Sequence, residues 1–590
     1  MALAMISLTE EQKVAVNEPG NVFLTACPGS GKTRAITAKI LRELESVRGT
    51  PRRLACITYT NAAVYEIRSR LGELISAEDQ TYVDICTIHS FCLNFILRPF
   101  QYKIPALDGD FQVLTQEMDE FQEIVRHVLG HEPDGRDFED FSMLGRDADG
   151  NPIGSAKSNE KVAAHAKAFW HICEQSGYVD FSSIIYYGYV ILASNNEVSR
   201  GLAARYRWIL VDEFQDTSQL QVEILLAIFA EGLTNFFLVG DLYQSIYGFA
   251  DARPDLAERF SKSIQARTDL SLTENFRSGP PIIEHAERLF HREPPMRSGG
   301  NALGYGETPI FCPATDASEA ILQNFIPALA AREIEFGRSA ILAPAWYMLL
   351  PVAKRLRENG ISVIGPGARP YKRDRLFARL AESICGFLYD PMMHQMRSLE
   401  WSLFNTLLEV TAKPRYDIFS YQGRIVIAKM LSKAENQAEN TDSAVTWLDE
   451  VSTSIGAILA DEGLIPRAHQ ALFFNSVQDM KADIIKNSRS DPASLSIQEL
   501  GILASPKNSI RLSSLHVAKG REFDAVAIIG LREGALPHWS AETDDEIDET
   551  KRLFYVGVTR ARKFLMYVSD GKKQTDCPTR FLGRDGVGVL

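Results

Sequence analysis

Short apolar runs alternate with amphipathic helical patterns along much of this chain. The first half has four such runs, each about the length of a buried strand, with the sequences VFLTA, LACITYT, WILVDE and FFLVGD. Later runs read SAILAP, ISVIG, IRLSSLH, AVAIIGL and FLMYVS. Because continuous apolar strands separated by helices are typical of parallel sheets covered on both faces, the pattern predicts an α/β fold with two parallel-sheet cores.

Two stretches without strand patterns interrupt these cores. Leu, Ala, Met and charged residues dominate them at helical spacing, and the strand pattern resumes after each one. We therefore expect two helical insertions, at residues 101–179 and 391–505, rather than domains in series. The predicted first core comprises residues 1–100 and 180–275, and the predicted second core comprises residues 276–390 and 506–590.

The composition is that of an ordinary globular protein with more than one domain. The 590 residues exceed what one hydrophobic core usually covers, and 45% of them are hydrophobic and 24% charged. The net charge of −13 argues against a protein that coats nucleic acid through bulk electrostatics. The eight cysteines have no disulfide-like or zinc-like spacing. No apolar stretch reaches the roughly 18 residues of a membrane span, and no secretion signal is present, so we expect a cytoplasmic protein without a membrane partner.

A phosphate-binding loop is the strongest chemical signal in the sequence. The stretch FLTACPGSGKTR places a glycine-rich turn directly after a strand and before a helix, which lets successive amides converge on an anion. Lys32 would reach the β- and γ-phosphates of ATP, and the Thr33 hydroxyl would ligate Mg²⁺. The alternative is a plain turn, since Ala26 replaces the first glycine of the G-x-x-x-x-G-K-[ST] motif. The predicted ATP-binding residues of the loop are Ala26, Cys27, Pro28, Gly29, Ser30, Gly31, Lys32, Thr33 and Arg34.

The stretch WILVDEFQDTSQ supplies the acidic residues that such a loop requires. Asp212 at the strand end can hold Mg²⁺, and Glu213 can act as general base on the attacking water. In isolation, paired acids at a strand end are often only a solvated turn. Together with the phosphate loop they predict a site that hydrolyses ATP with Mg²⁺.

Further motifs follow the order found in the UvrD/Rep/PcrA family of superfamily 1 helicases, which this chain resembles. LTEEQ resembles the family's adenine-reading Q motif, and TYTNAAVYEI and ICTIHSF resemble the two strand-contacting motifs of its first core. LTENFRS resembles motif IV, SLHVAKGREFDAV motif V and FYVGVTRAR motif VI. The resemblance covers almost the whole chain except the two insertions, and it implies two RecA-like P-loop cores with an ATP site between them.

The resemblance also implies residues that complete the ATP site. Gln12 would read the edge of the adenine, Phe276 would stack on the base and Glu522 would approach the ribose. Arg277 and Arg560 would act as arginine fingers from the second core, neutralising charge on the γ-phosphoryl group in the transition state. Outside these motif contexts, both arginines would be read as ordinary surface residues.

The segment FFLVGDLYQSIYGFADA is predicted to link the ATP site to DNA. Asp241 and Gln244 end the strand on the ATP side, where Gln244 would sense the γ-phosphate, while Tyr247 and Phe249 would face the DNA. Stacking of bases on such rings contributes about 1 to 3 kcal/mol per base, whatever the base sequence. A single aromatic residue is more often part of a core, and it is the matched motifs that favour DNA. The predicted DNA contacts are Tyr59, Thr60, Asn61, Thr87, His89, Tyr247, Phe249 and His516.

The chain departs from the family pattern at several positions that would grip DNA. Ala62 replaces the Lys of the family's TNKAA, and Phe249 and Ala250 replace the usual Trp and Arg. AILAPAW lacks the Arg of LYRTN, and motif V reads KGREF instead of KGLEF. A basic stretch at residues 353–379 would contact DNA phosphates or a partner, or would form a solvated helix face.

The resemblance implies an ATP-dependent translocase and helicase that moves 3′ to 5′ on single-stranded DNA and acts at duplex junctions. We expect short insertions and no further domain after motif VI, which resembles the compact UvrD-like subunits of bacterial anti-phage systems. One such subunit is the GajB component of Gabija, which works with an OLD-like nuclease. The alternative is a regulatory ATPase subunit that senses DNA or nucleotides for a nuclease partner and unwinds little alone. An RNA helicase is a third hypothesis, which the DNA-type motifs disfavour.

Overall fold

The computed structural model divides the chain into two compact units. The first unit consists of Met1–Gly306 with Glu542–Tyr555, and the second of Glu307–Ala541 with Val556–Leu590. The structure describes residues 6–107, 109–116, 118–154, 159–248, 253–365, 371, 375–389, 396–411, 415–441, 443–487, 495–502, 508–571, 578–583 and 587–589.

A six-stranded parallel sheet forms the centre of the first unit. Its strand order is β10-β1-β9-β8-β2-β3, and three further small pairs (β4 with β7, β5 with β6, β11 with β12) lie outside it. The strands of this unit are β1 (Val22–Ala26), β2 (Arg53–Thr58), β3 (Val83–Thr87), β4 (Gln112–Val113), β5 (Gly145–Arg146), β6 (Pro152–Ile153), β7 (Tyr178–Val179), β8 (Tyr206–Val211), β9 (Asn235–Gly240), β10 (Ser271–Leu272), β11 (Glu274–Asn275) and β12 (Arg297–Ser298).

A seven-stranded parallel sheet forms the centre of the second unit, in the order β15-β16-β14-β17-β18-β13-β19. Its strands are β13 (Ile310–Ala314), β14 (Ser339–Ala343), β15 (Val363–Ile364), β16 (Ile510–Ser514), β17 (Phe523–Ile528), β18 (Ala561–Asp570) and β19 (Gly588–Val589). The prediction of an α/β fold with two parallel-sheet cores is therefore confirmed.

Helices account for most of the remaining described residues. They are α1 (Glu10–Asn17), α2 (Lys32–Leu44), α3 (Asn61–Leu74), α4 (Ala77–Gln80), α5 (Ile88–Cys92), α6 (Arg98–Phe100), α7 (Asp119–Leu129), α8 (Gly135–Ser142), α9 (Glu160–Gln175), α10 (Phe181–Ser194), α11 (Asn196–Arg205), α12 (Gln219–Phe229), α13 (Pro254–Ser263), α14 (Pro280–Leu289), α15 (Ala317–Ala320), α16 (Ile326–Ala331), α17 (Leu349–Glu358), α18 (Ala378–Tyr389), α19 (Met396–Thr411), α20 (Tyr421–Ala438), α21 (Ala444–Asp461), α22 (Ala471–Asn487), α23 (Ile497–Ile502) and α24 (Asp544–Val558).

The parallel arrangement brings the predicted motifs to one edge of the first sheet. Because all six strands run the same way, their carboxyl ends lie side by side in the order of the strands. The phosphate loop follows β1, which lies between β10 and β9, and the acidic pair follows β8. The predicted DNA contacts after β2 and β3 lie at the far side of the same edge.

The two stretches predicted as insertions build apolar cores of their own. Helices α7 to α9 bury a cluster that includes Phe121, Phe141 and Phe169. Helices α18 to α23 bury a second cluster around Trp447, and this cluster begins at Tyr371. No helix in the described part of the chain has the length and apolar character needed to cross a membrane.

Gly423 near the start of α20 is expected to control the stability of the larger helical cluster. A Cβ added there would lie 2.1 Å from the Ile418 carbonyl oxygen, a backbone atom that cannot move alone. We expect Gly423→Ala to lower the free energy of unfolding by about 2 kcal/mol, through overpacking. Gly201→Ala in α11 is the matched control, because a Cβ there meets nothing within 4 Å.

Chemical denaturation of both variants checks this expectation. Gly201→Ala should be neutral or stabilising by up to about 1 kcal/mol, since alanine favours the helix. Equal unfolding midpoints for Gly423→Ala and the unmodified chain would contradict the packing described for α20.

Candidate ATP site and nucleic-acid interface

The turn that follows β1 has the backbone shape of an anion cradle. Gly29 and Gly31 have φ angles of 68° and 81°, in the left-handed region that glycine adopts without strain. The Ser30 hydroxyl donates to the Cys27 carbonyl at 2.7 Å, and α2 begins at Lys32. The first N–H groups of a helix have no partner within it, so the start of α2 offers donors to a phosphate group.

Gln12 supports this loop from the neighbouring helix. Its side chain forms a capping box with Thr9 at the start of α1, and its Nε2 donates to the Ser30 carbonyl at 3.0 Å. A Cβ at Gly31 would lie 2.8 Å from the same Nε2 atom. Arg34 is exposed on α2, where its guanidinium donates to the Ser7 carbonyl at 3.4 Å.

The acidic pair after β8 lies next to the loop lysine. Asp212 is 6% exposed, and this burial together with the adjacent Glu213 charge raises the pKa of Asp212 to about 7. The Glu213 carboxylate lies 3.7 Å from Lys32 Nζ and accepts a hydrogen bond from Gln215 Nε2 at 2.6 Å. The φ angle of Glu213 is 51°, an unusual value for a residue with a side chain, and such strain is often found at active sites.

The oxygen atoms at this position fit a magnesium ion. A hydroxyl from Thr33, in the first turn of α2, and a carboxylate from Asp212 are the hard ligands that Mg²⁺ prefers, and a bound cation would favour the ionised Asp212 carboxyl. Among the described residues, no group of three or more His, Cys, Asp or Glu side chains could hold a metal. Mg²⁺ does not need one, because substrate phosphates and water commonly complete its coordination.

A buried hydrogen-bond network extends from Glu213 to Gln244. Gln215 is fully buried, and its Oε1 accepts the Asp241 N–H at 2.9 Å. Gln244 Nε2 donates to Asp241 Oδ2 at 2.6 Å, and Arg292 Nη2 pairs with Asp241 Oδ1 at 2.6 Å. The predicted γ-phosphate sensor is thus held by the buried Asp241 carboxylate, and the main-chain N–H of the same residue bonds to the segment after β8.

Arg277 lies beside the phosphate loop, within the first unit. The Phe276 N–H donates to the Gly29 carbonyl at 3.0 Å, and Asn275 Oδ1 accepts the Arg277 N–H at 2.7 Å. A Cβ at Gly29 would lie only 2.7 Å from the Arg277 Cβ. The sequence assigns Arg277 and residues 276–306 to the second core, whereas the structure groups them with the loop, and the main-chain bond to Gly29 is the physical reason.

Two of the predicted DNA contacts meet directly in the structure. The rings of Tyr59 and Tyr247 are stacked, with centroids 4.9 Å apart and planes inclined by 25°. Burial raises the pKa of the Tyr247 hydroxyl to about 12 and also raises that of Tyr59, so both rings are uncharged at neutral pH. A pair of neutral flat rings at a sheet edge is a suitable surface for bases.

The other predicted contacts of the first unit lie where strands give way to helices. Thr60 caps α3, which begins at Asn61, and Thr87 caps α5. The His89 ring lies against Phe181 with centroids 5.7 Å apart, and burial lowers the pKa of His89 to about 4. His89 is therefore neutral at physiological pH and offers an uncharged imidazole.

Comparison with known proteins decides the family. Residues 8–265 match the model of the UvrD/REP helicase N-terminal domain, and residues 428–570 match that of the UvrD-like helicase C-terminal domain. The chain is 25% identical to the ATP-dependent DNA helicase Rep of Escherichia coli, over 93% of this chain and 88% of that protein. It is 24% identical to the DNA helicase II of Rickettsia typhi, over 97% of this chain and 94% of the relative. The chain belongs to the UvrD/Rep helicase family.

Membership of the UvrD/Rep family confirms the predicted enzyme class, an ATP-dependent DNA helicase. The predicted residues of motifs V and VI lie in the second unit. Arg560 is 2% exposed and donates to the Val556 and Arg521 carbonyls at 2.9 and 3.2 Å, so it is not an ordinary surface arginine. Glu522 is exposed and pairs with Arg562 at 2.9 Å. His516 is half-buried, and burial lowers its pKa.

Three buried polar residues of this UvrD/Rep-family site are absent from the sequence prediction. Gln215 lies in WILVDEFQDTSQ and Asn275 in LTENFRS, two recognised motifs. The polar character of each residue, close to a strand end, could have identified it as part of the site. Arg292 follows no local pattern, and its partner Asp241 is 51 positions away. Phe249 and Ala250, two departures from the family pattern, lie outside the described residues.

The basic stretch at residues 353–379 shows ion pairs along its described helix. On α17, Arg355 pairs with Glu319 at 2.6 Å, and Lys354 lies 3.8 Å from Glu358. Side chains paired in this way on an exposed helix favour the solvated face over a dedicated phosphate site.

Gly29 provides a test of the contact between the phosphate loop and Arg277. Gly29→Ala would place a Cβ against Arg277 in a left-handed backbone, so the loop and the arginine must separate. Because small displacements of catalytic groups have large effects on rate, we expect ATP turnover to fall about 100-fold. Steady-state ATP hydrolysis measures this effect.

Gly72→Ala in α3 is the matched control, since its nearest neighbour would be Gln80 Nε2 at 3.9 Å, and it should leave turnover unchanged. Normal turnover in the Gly29→Ala chain would show that the close approach to Arg277 is not needed for catalysis.

Proposed function

We propose that this chain is an ATP-dependent translocase and helicase that moves 3′ to 5′ on single-stranded DNA. The observation that carries the proposal is the continuous network that runs from the half-buried Lys32–Glu213 pair through the buried Gln215 and Asp241 to Gln244. Three residues beyond Gln244, the ring of Tyr247 stacks on that of Tyr59. The same segment thus joins the predicted ATP site to the predicted DNA track.

At the ATP site, each proposed role follows from the chemistry of the side chain. Lys32 would bind the β- and γ-phosphates, and Glu213 would take the proton from the attacking water. Thr33 and Asp212 would hold Mg²⁺, which supplies charge neutralisation at the phosphates. The proposed nucleotide contacts outside the acidic pair are Gln12, the loop residues 26–34, Gln244, Phe276, Arg277, Glu522 and Arg560.

Along the proposed DNA track, the predicted contacts include neutral rings and helix-capping hydroxyls. We propose that bases stack on the rings of Tyr59, Tyr247 and Phe249, and that the remaining predicted residues contact the DNA beside them. These remaining residues are Thr60, Asn61, Thr87, His89 and His516.

A second candidate function is a regulatory ATPase subunit that senses DNA for a nuclease partner, as in an anti-phage system. The observation that favours it is the loss of gripping residues from the family pattern, with Ala62 and Ala250 in place of Lys and Arg. An OLD-like nuclease is the proposed partner in that case. Both candidates share the ATP site and a cytoplasmic location.

We also propose that residues 101–179 and 391–505 are reduced counterparts of the insertions of larger UvrD-type helicases. Their separate apolar clusters support this division. The proposed cores are residues 1–100 with 180–275, and residues 276–390 with 506–590, apart from residues 276–306 and 542–555, which the structure groups with the first unit.

Strand separation with tailed duplexes tests the leading candidate. ATP turnover should rise on addition of single-stranded DNA, and duplexes with a 3′ tail should unwind in preference to those with a 5′ tail. Absence of stimulation by DNA would contradict the proposal, and a 5′ preference would contradict the polarity. Stimulation without unwinding would support the regulatory subunit, and stronger stimulation by RNA would favour an RNA helicase.

Glu213→Gln separates chemistry from binding. The amide keeps the shape of the side chain but cannot accept a proton from water, so we expect turnover to fall by about 100-fold or more. ATP and DNA affinities, measured by filter binding or fluorescence anisotropy, should remain close to those of the unmodified chain. Glu10→Gln, at a glutamate whose side chain is 85% exposed, is the control. Turnover that persists in Glu213→Gln would show that another group is the base.

A further inference from the structure

Helix α24 presents three side chains along one face to the segment that follows β9. Glu549, Arg552 and Tyr555 recur at every third position, a spacing that places them on the same side of a helix. All three lie within the part of α24 that belongs to the first unit, which ends at Tyr555. We call this set the α24 face.

Two residues of the α24 face contact residues 241–248 directly, and the third contacts them through Arg292. Glu549 Oε1 accepts the Gly248 N–H at 2.9 Å, and Arg552 Nε donates to the Ser245 carbonyl at 2.8 Å. The Tyr555 hydroxyl accepts from Arg292 Nη2 at 2.8 Å, the same nitrogen that pairs with Asp241. The helix therefore contacts the segment directly after Gln244 and directly after Tyr247, and it reaches Asp241 through Arg292.

The contact at Gly248 is specific to glycine. A Cβ at this position would lie 2.4 Å from Glu549 Oε2, and all of the nearest atoms belong to the Glu549 carboxylate. Because that carboxylate is the end of a flexible side chain, an added methyl group would displace it and leave the Gly248 backbone in place. Gly248→Ala and Glu549→Ala should therefore remove the same hydrogen bond from its two sides.

We propose that Glu549, Arg552 and Tyr555, the last acting through Arg292, are positioning residues that hold residues 241–248 as one unit. With both ends of the segment fixed, a change at Gln244 in the ATP site is transmitted to the ring of Tyr247. This inference rests on the proposed function, because it assigns a coupling role between ATP hydrolysis and DNA binding.

The half-buried end of the α24 face gives the better experiment. Arg292 is 5% exposed, and its removal would leave the buried Asp241 carboxylate without its charge partner, which endangers folding. Glu549 is only half-buried, and its partner is a main-chain N–H, so its removal leaves no buried charge behind. Thr550→Ala is the matched control, since the Thr550 hydroxyl donates to the Glu546 carbonyl within α24 itself.

ATP turnover of the full chain should be measured with and without a thymidine oligonucleotide, for Glu549→Ala, Gly248→Ala, the double variant and Thr550→Ala. We expect each single variant to reduce the ratio of DNA-stimulated to DNA-free turnover about tenfold, as for loss of one charge-assisted hydrogen bond. The double variant should be no worse than either single one, because both remove the same contact. The KM for ATP should not change, and Glu549→Gln, whose amide oxygen still accepts the Gly248 N–H, should restore most of the ratio.

The outcomes separate the two levels of inference. An unmodified chain that DNA does not stimulate would refute the proposed function itself. A stimulated chain whose Glu549→Ala and Gly248→Ala variants keep the full ratio would overturn the coupling role. Additive losses in the double variant would overturn it as well. Parallel decreases in DNA-free turnover and melting temperature would assign Glu549 to stability alone and would also overturn it.

Discussion

The buried charge of Asp241 is the constraint on which the polar interior of the first unit depends. A carboxylate with no exposed surface is costly unless it is paired and fully hydrogen-bonded. Here the pairing comes from Arg292, and further hydrogen bonds come from Gln244 Nε2 and the Tyr243 N–H. These partners come from two separate parts of the chain, so satisfying one charge fixes the relative positions of the sheet edge, the segment after β9 and the loop after α14. Gln244 and Tyr247 owe their placement to this requirement.

Much of the fold follows from local patterns, because parallel strands buried on both faces must be continuously apolar. This rule identifies β1, β8, β9 and β14 from the sequence. It fails for β3, whose sequence VDICT alternates polar and apolar residues at the edge of the sheet, and for β13, which carries a proline. Strands of that kind obtain their pairing from neighbours that local periodicity does not reveal.

The site shows the same division between local and distant information. The phosphate loop and the acidic pair are recognisable because their residues are close in sequence and their spacing serves the chemistry directly. The position of Arg277 depends instead on the bond from the neighbouring Phe276 N–H to Gly29, and that of Arg292 on its bonds to Asp241 and Tyr555, all made across long sequence separations. Such bonds leave no periodic pattern in the sequence. Family resemblance suggested a role for Arg277 but assigned it to the other core. It gave no indication of Arg292.

The left-handed backbone at Glu213 has a consequence for how this enzyme could be improved or could evolve. A residue with a side chain held at φ 51° and ψ 43° carries a conformational cost of order 1 to 3 kcal/mol, which glycine or asparagine would largely avoid. Selection for thermal stability alone would therefore favour replacing the side chain that we propose as the general base. At this position, higher thermal stability competes with retention of the proposed general base. Keeping glutamate there lowers the stability of the fold.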